Sequence, residues 1–122
     1  MSNRQRFYLA LSIAFIVISF HKIASDLYLY WTYKGIDIPM HIMGGFMSGL
    51  FTLVLFRANR WRESGVKILL GVMLVGITWE FLELYYRVAE IDIHYWIDTC
   101  KDLLDDIIGG LISIYVWKKI PN

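Results

Sequence analysis

Acidic side chains recur at helical spacing inside segments otherwise built from Ile, Leu, Val and Phe. Glu80 and Glu83 stand three residues apart after Trp79. Asp98, Asp102, Asp105 and Gly109 repeat at four, three and four residues, with Asp106 beside them. His41 follows Asp37 by four residues and leads into Gly44 and Ser48. Residues three or four apart share a helix face, so each set reads as one stripe. Carboxylates from two helices and an imidazole from a third form an oxygen-rich shell for a divalent metal ion. Such an ion polarises a phosphoryl or carbonyl oxygen and activates water. Glu80, Glu83, Asp102, Asp105 and His41 are therefore the expected metal ligands, with Asp98 and Asp106 as second choices. Glu80, Glu83 and His41 are the groups expected to act in catalysis.

Each residue has a plainer reading beside this one. The carboxylates could form a hydrogen-bonded cluster that fixes helix packing, and Asp98 could be a helix cap. His41, with Asp37 one turn before it, could be a carboxylate-oriented ligand or acid/base, and its plainer reading is an interfacial histidine. His21 beside Lys22 reads as a snorkelling pair at a helix end. His94, Asp26, Glu90 and Asp92 read as solvated loop residues. The Gly44-Gly45 and Gly109-Gly110 pairs read as places of close helix contact. No phosphate-binding glycine loop, nucleophile elbow or His-Glu-x-x-His pair occurs, and Ser48 has no recognisable triad.

The elements that must position these residues follow from composition. Of 122 residues, 57% are hydrophobic and only 19% are charged. A soluble domain this small has too much surface to cover with so few polar groups. A lipid-facing exterior removes that difficulty. The fold expected is all-α, a polytopic membrane protein forming a bundle of about four transmembrane helices in one domain. The spans expected are about 7–25, 39–56, 66–85 and 98–117. Pro39 suits a first helical turn. The last span has only 11 uninterrupted apolar residues, 107–117. Reaching the length of about 20 that a bilayer requires carries it back to Asp98, which puts Asp102, Asp105 and Asp106 inside the membrane thickness. Residues 27–31 have the makeup of an interfacial aromatic belt. Residues 87–98 form the longest connection, with room for a short outer helix.

The basic residues give an orientation. With the N-terminus cytoplasmic, Arg4, Arg6, Arg57, Arg60, Arg62, Lys67, Lys118 and Lys119 fall inside, 8 of the 12 Lys and Arg. Both termini are then cytoplasmic and the protein lies in the cell membrane. Ten of the eleven carboxylates fall in the outer half. At 1.5 Å per residue, Glu80, Glu83, Asp102, Asp105, His41 and His21 all lie roughly 20–24 Å above the inner surface. Several ionised carboxylates at one depth need neutralising, by a bound metal, by shared protons, or by Lys22, Arg87 and Lys101 reaching in from the rim. The net charge of +1 gives no reason to expect a nucleic-acid partner. Cys100 is the lone cysteine, which excludes an internal disulfide and any multi-cysteine metal site.

Three segments carry a family resemblance. Asp37-Ile-Pro-Met-His41-Ile-Met-Gly44-Gly45-Phe46 resembles the helix-opening segment of VanZ-like and YjdF-like bacterial membrane proteins. Trp79-Glu80-Phe-Leu-Glu83 is similar to the Trp-Glu-x-x-Glu of the YjdF-like group. The segment from Asp98 to Gly110 is similar to its closing segment, with Asp106 where that group has Asn. The resemblance covers Asp37 to Leu111 and implies a bacterial-type multi-pass protein, without a reaction to transfer.

The leading functional expectation is metal-dependent hydrolysis or transfer on a lipid-linked or amphiphilic substrate, at an intramembrane site level with the outer leaflet. The partners expected are the lipid bilayer and that substrate. The rival expectations are proton-coupled transport, which four short helices would need a homo-oligomer to support, and a non-catalytic membrane scaffold or partner subunit.

Overall fold

A computed structural model describes residues 1–86 and 93–120. Its helices are α1 (Asn3–Asp26), the four-residue α2 (Leu29–Thr32), α3 (Asp37–Ala58), α4 (Gly65–Tyr85) and α5 (Ile93–Lys119). No strand occurs among the described residues. The architecture is an all-helical bundle.

Local chemistry accounts for the helix ends. Ser2 and Gln5 form a capping box: the Gln5 amide donates to Ser2 Oγ at 3.2 Å and the Ser2 amide donates to Gln5 Oε1 at 2.8 Å. Asp37 occupies the first turn of α3, where a carboxylate favours the helix dipole, and Pro39 follows within that turn. α2 forms in the aromatic belt, entered through Tyr28 at φ 55°. Among the described residues, Arg60 is the other non-glycine in the left-handed region, at φ 57°. It ends α3 in a Schellman motif: the Trp61 amide donates to Phe56 O at 2.8 Å and the Arg60 amide donates to Arg57 O at 3.2 Å. The Phe56 and Trp61 rings meet edge to face at 5.3 Å, the apolar contact that accompanies this motif. Arg60→Gly should therefore stabilise the protein by about 1 kcal/mol, since glycine carries no Cβ penalty there. Thermal unfolding in detergent measures this, and an unchanged or lower midpoint would show that Arg60 gains more from its side chain than its backbone costs.

α1, α3 and α4 are each long and apolar enough to cross a bilayer. α5 has the length, at 27 residues, but its first half carries Asp98, Lys101, Asp102, Asp105 and Asp106. It starts at Ile93, ahead of Asp98, where the fourth span is expected to begin. The connection expected to hold a short outer helix falls partly on residues 87–92, which lie outside the described residues. The outward faces are apolar, with Phe15 73% and Leu74 69% exposed in the isolated chain. On a water-soluble monomer so extensive an apolar surface would be exceptional.

α3 is the hub, packing against α1, α4 and α5. α3 and α5 run parallel, with Gly45 against the Asp106 backbone and Gly49 against Ser113. α4 runs antiparallel to both, with Gly76 against the Asp106 side chain and Gly110 of α5 against Val72. A Cβ at Gly45 would overlap the Asp106 carbonyl, and one at Gly109 would overlap the Ile42 carbonyl and the Phe46 amide. The backbones therefore touch, as small-residue membrane interfaces allow. The hydroxyls in this seam bond within their own helices, Ser48 to Gly45 O at 3.1 Å and Ser113 to Gly110 O at 2.7 Å, so they do not hold the helices apart.

Towards the Trp117 end the seam becomes apolar. Ala10, Leu50, Leu53, Ile68 and Trp117 form its core. Arg6 is buried there with its guanidinium 4.6 Å from the Trp117 ring centre. Trp117 Nε1 donates to Glu63 Oε2 at 3.2 Å. Cation–π attraction and this hydrogen bond tie α1, α5 and the α3–α4 connection together.

Candidate functional site

The glycine seam decides which acidic residues meet. Packing through Gly109 and Ser113 turns Asp102 and Asp106 inward, and the two carboxylates are 5% and 7% exposed. Successive residues are about 100° apart around a helix, so Asp105 cannot share the Asp106 direction. Asp105 is half-buried, and its Oδ2 has no hydrogen-bond partner among the described residues. Asp98 is 64% exposed and pairs with Lys101 at 3.2 Å. The buried stripe thus runs Asp102, Asp106, Gly109 and Ser113, rather than the expected Asp98, Asp102, Asp105 and Gly109.

His41, buried on α3, stands opposite this stripe. Its Nδ1 is 3.4 Å from Asp106 Oδ1. Its Nε2 is 3.5 Å from Asp37 Oδ1 and 3.7 Å from Asp102 Oδ2. Lys101 closes the group: Nζ donates to Asp102 Oδ1 at 2.7 Å and lies 3.5 Å from Asp37 Oδ2. Asp37 itself is 30% exposed and forms the open side of the cluster. One donor atom each from Asp37, His41 and Asp102 fall within 4.8 Å of one another, an arrangement that could hold a metal ion.

Glu80 and Glu83 lie apart from these three. Glu80 is one turn beyond Gly76, the residue that faces Asp106, and is within electrostatic reach of His41. Its Oε2 accepts from Thr99 Oγ1 at 2.7 Å, while Oε1 is buried with no hydrogen-bond partner among the described residues. Glu83 accepts from Trp79 Nε1 on its own helix at 2.9 Å. The Trp79 ring meets His21 edge to face at 5.2 Å, and His21 Nδ1 shares a 2.7 Å hydrogen bond with the Tyr30 hydroxyl. Burial, then the nearby charges of Asp37 and Glu83, push the Tyr30 phenol up to about 12, so it keeps its proton.

The rim cations divide. Lys101 reaches the cluster, whereas Lys22 pairs with Asp26 on its own helix at 2.5 Å. Arg87, Glu90 and Asp92 lie outside the described residues. His94 is exposed at the start of α5. Two contributors had no distinctive sequence signal. Thr99 is an ordinary polar residue 19 positions from Glu80. Tyr30 looks like any belt aromatic. Asp37 meets His41 on the Nε2 side, which it shares with Asp102, and its four-residue spacing was the available clue.

No curated protein and no solved structure matches the chain. The family profile described as "Predicted membrane protein (DUF2238)" does match, over residues 2–121. Polar seam, apolar exterior and bilayer-length helices all accord with that description, and the chain belongs to this family of membrane proteins.

Proposed function

We propose that Asp37, His41 and Asp102 form a divalent-metal centre serving hydrolysis or transfer on the headgroup of a membrane amphiphile. The observation that carries this reading is the setting of His41. One ring nitrogen faces two carboxylates and the other faces a third. A histidine that binds a metal commonly donates its second N–H to a carboxylate, which is the place Asp106 takes. Donors about 2.1 Å from a tetrahedral ion stand about 3.4 Å apart, close to the 3.5 and 3.7 Å separations at Nε2. Charge points the same way: Asp37, Asp98 and Asp102 share one permanent cation, Lys101, and Asp106 faces His41. Three protein ligands leave a coordination position for water or substrate, as catalytic sites do. Two carboxylates and one imidazole suit zinc or manganese. Glu80 and Glu83 act beside this centre, within reach of a bound headgroup.

In this reading α5 crosses the bilayer as a fourth span, its acidic half shielded in the seam. Both termini are cytoplasmic and the cluster lies level with the outer leaflet. In a Cys100→Ser background, an impermeant maleimide applied to intact cells should label Gly35→Cys and spare Arg62→Cys. The reverse pattern would invert the topology. We also infer kinship with the YjdF-like and VanZ-like proteins, supported by the three segments quoted above in their order.

A second reading, proton-coupled transport by a homo-oligomer, draws on the line Asp37, His41, Asp106, a path for protons as well as a ligand shell. Metal content separates the two. Protein purified in mild detergent should carry about one zinc or manganese per chain by elemental analysis. Removing it by chelation should lower stability by about 2.7 kcal/mol relative to protein in metal at a hundredfold excess over Kd. Metal-free protein whose unfolding midpoint ignores both chelator and added metal would end the metal reading.

A further inference from the structure

Between α4 and α5, beside the carboxylate cluster, lies a cavity of about 220 Å³. Ile77, Phe81, Trp96 and Leu103 give it apolar walls, and Glu80 and Thr99 are also among its lining residues. Glu80 is 5% exposed. Thr99 holds its Oε2, and Oε1 is left without a donor among the described residues. Buried acceptors are rarely left so, and a donor on a ligand would satisfy this one. Among the described residues, no Lys, Arg or His lines the cavity. A phosphate or carboxylate would meet the Glu80 carboxyl group there. The volume is below the 300–1,000 Å³ typical of sites that enclose a drug-sized molecule, so it accepts a small head and a short length of chain.

We propose that this cavity binds a single-chain amphiphile through a small hydrogen-bond-donating head, a hydroxyl or an ammonium, held on Glu80 Oε1, with its chain along Phe81, Trp96 and Leu103. Binding here needs no metal, so it stands or falls separately from the centre at Asp37, His41 and Asp102.

The test uses the full chain in phosphatidylcholine nanodiscs and a diazirine analogue of dodecanol as photoprobe. Labelling should fall on the cavity-facing residues of α4 and α5. Dodecanol or dodecylamine should compete at concentrations at least about tenfold lower than dodecyl methyl ether or dodecanoate, the margin expected from one charge-assisted hydrogen bond. Whichever of the two competes better identifies hydroxyl or ammonium as the head. Glu80→Met should erase that margin. Leu103→Trp, which fills the cavity, should abolish labelling in protein that keeps its helical spectrum. Labelling spread evenly over the lipid-facing sides of α1, α4 and α5, or an ether that competes as well as the alcohol and amine, would overturn the proposal and leave only a groove for bilayer tails. If Glu80→Met does not fold, the comparison of competitors on the unaltered chain decides alone.

Discussion

Gly109→Ala should cost about 3 kcal/mol or more and separate α3 from α5. Alanine is the better helix former by about 1 kcal/mol, so propensity alone predicts stabilisation. Packing reverses the sign. The added methyl would occupy the space of the Ile42 carbonyl and Phe46 amide, which are backbone atoms that cannot swing aside. Overpacking typically costs 1–3 kcal/mol where side chains can adjust, and here the helix itself must move. The clash also acts on function, because the same seam sets the distance from His41 to Asp102 and Asp106. Two controls calibrate the measurement. Gly35→Ala meets nothing within 4 Å and should be within about 0.5 kcal/mol of the unaltered protein. Gly44→Ala makes ordinary contact with Asp106 Oδ1 and should fall between. Thermal or denaturant unfolding in detergent ranks the three. A Gly109→Ala protein as stable as Gly35→Ala would show that the backbones do not touch there.

His41→Ala is the second large effect. It removes the group that Asp102 and Asp106 both face and leaves their buried carboxylates without it. Breaking a buried charged pair from one side costs about 3–5 kcal/mol, mostly through the stranded charge. Lys101 offsets part of this for Asp102, to which it donates at 2.7 Å, whereas the partner of Asp106 among the described residues is His41. The metal reading adds a distinct outcome: His41→Ala should lose the ion altogether. Asp106→Asn keeps a hydrogen-bond acceptor for Nδ1 and removes a buried charge, so the fold should hold. Metal affinity should nevertheless fall about 10–100-fold, as expected when the partner that orients a ligand histidine is weakened. Metal titration followed by unfolding midpoint measures both. Equal metal affinity in Asp106→Asn and the unaltered chain would remove Asp106 from that role.

Helix content and membrane character could be read along the chain because both are local properties. A run of apolar residues near bilayer length is recognisable wherever it folds. The convergence of acidic groups near His41 was also legible, since helix rise converts residue number into depth. Rotation about each helix axis was not. Asp105 and Asp106 are adjacent, equally acidic and at nearly equal depth, and only one faces His41.

From its sequence alone, then, came the bilayer-length helices of this protein, its apolar exterior and the positions of its ionisable groups along each helix. Tertiary structure decided that Asp106 rather than Asp105 serves His41, that Lys101 rather than Lys22 closes the cluster, and that Thr99 holds Glu80. The reason is geometric. Depth accumulates residue by residue along one helix. Facing depends on how the glycine surfaces of α3, α4 and α5 fit together, and those surfaces are assembled from segments far apart in the chain.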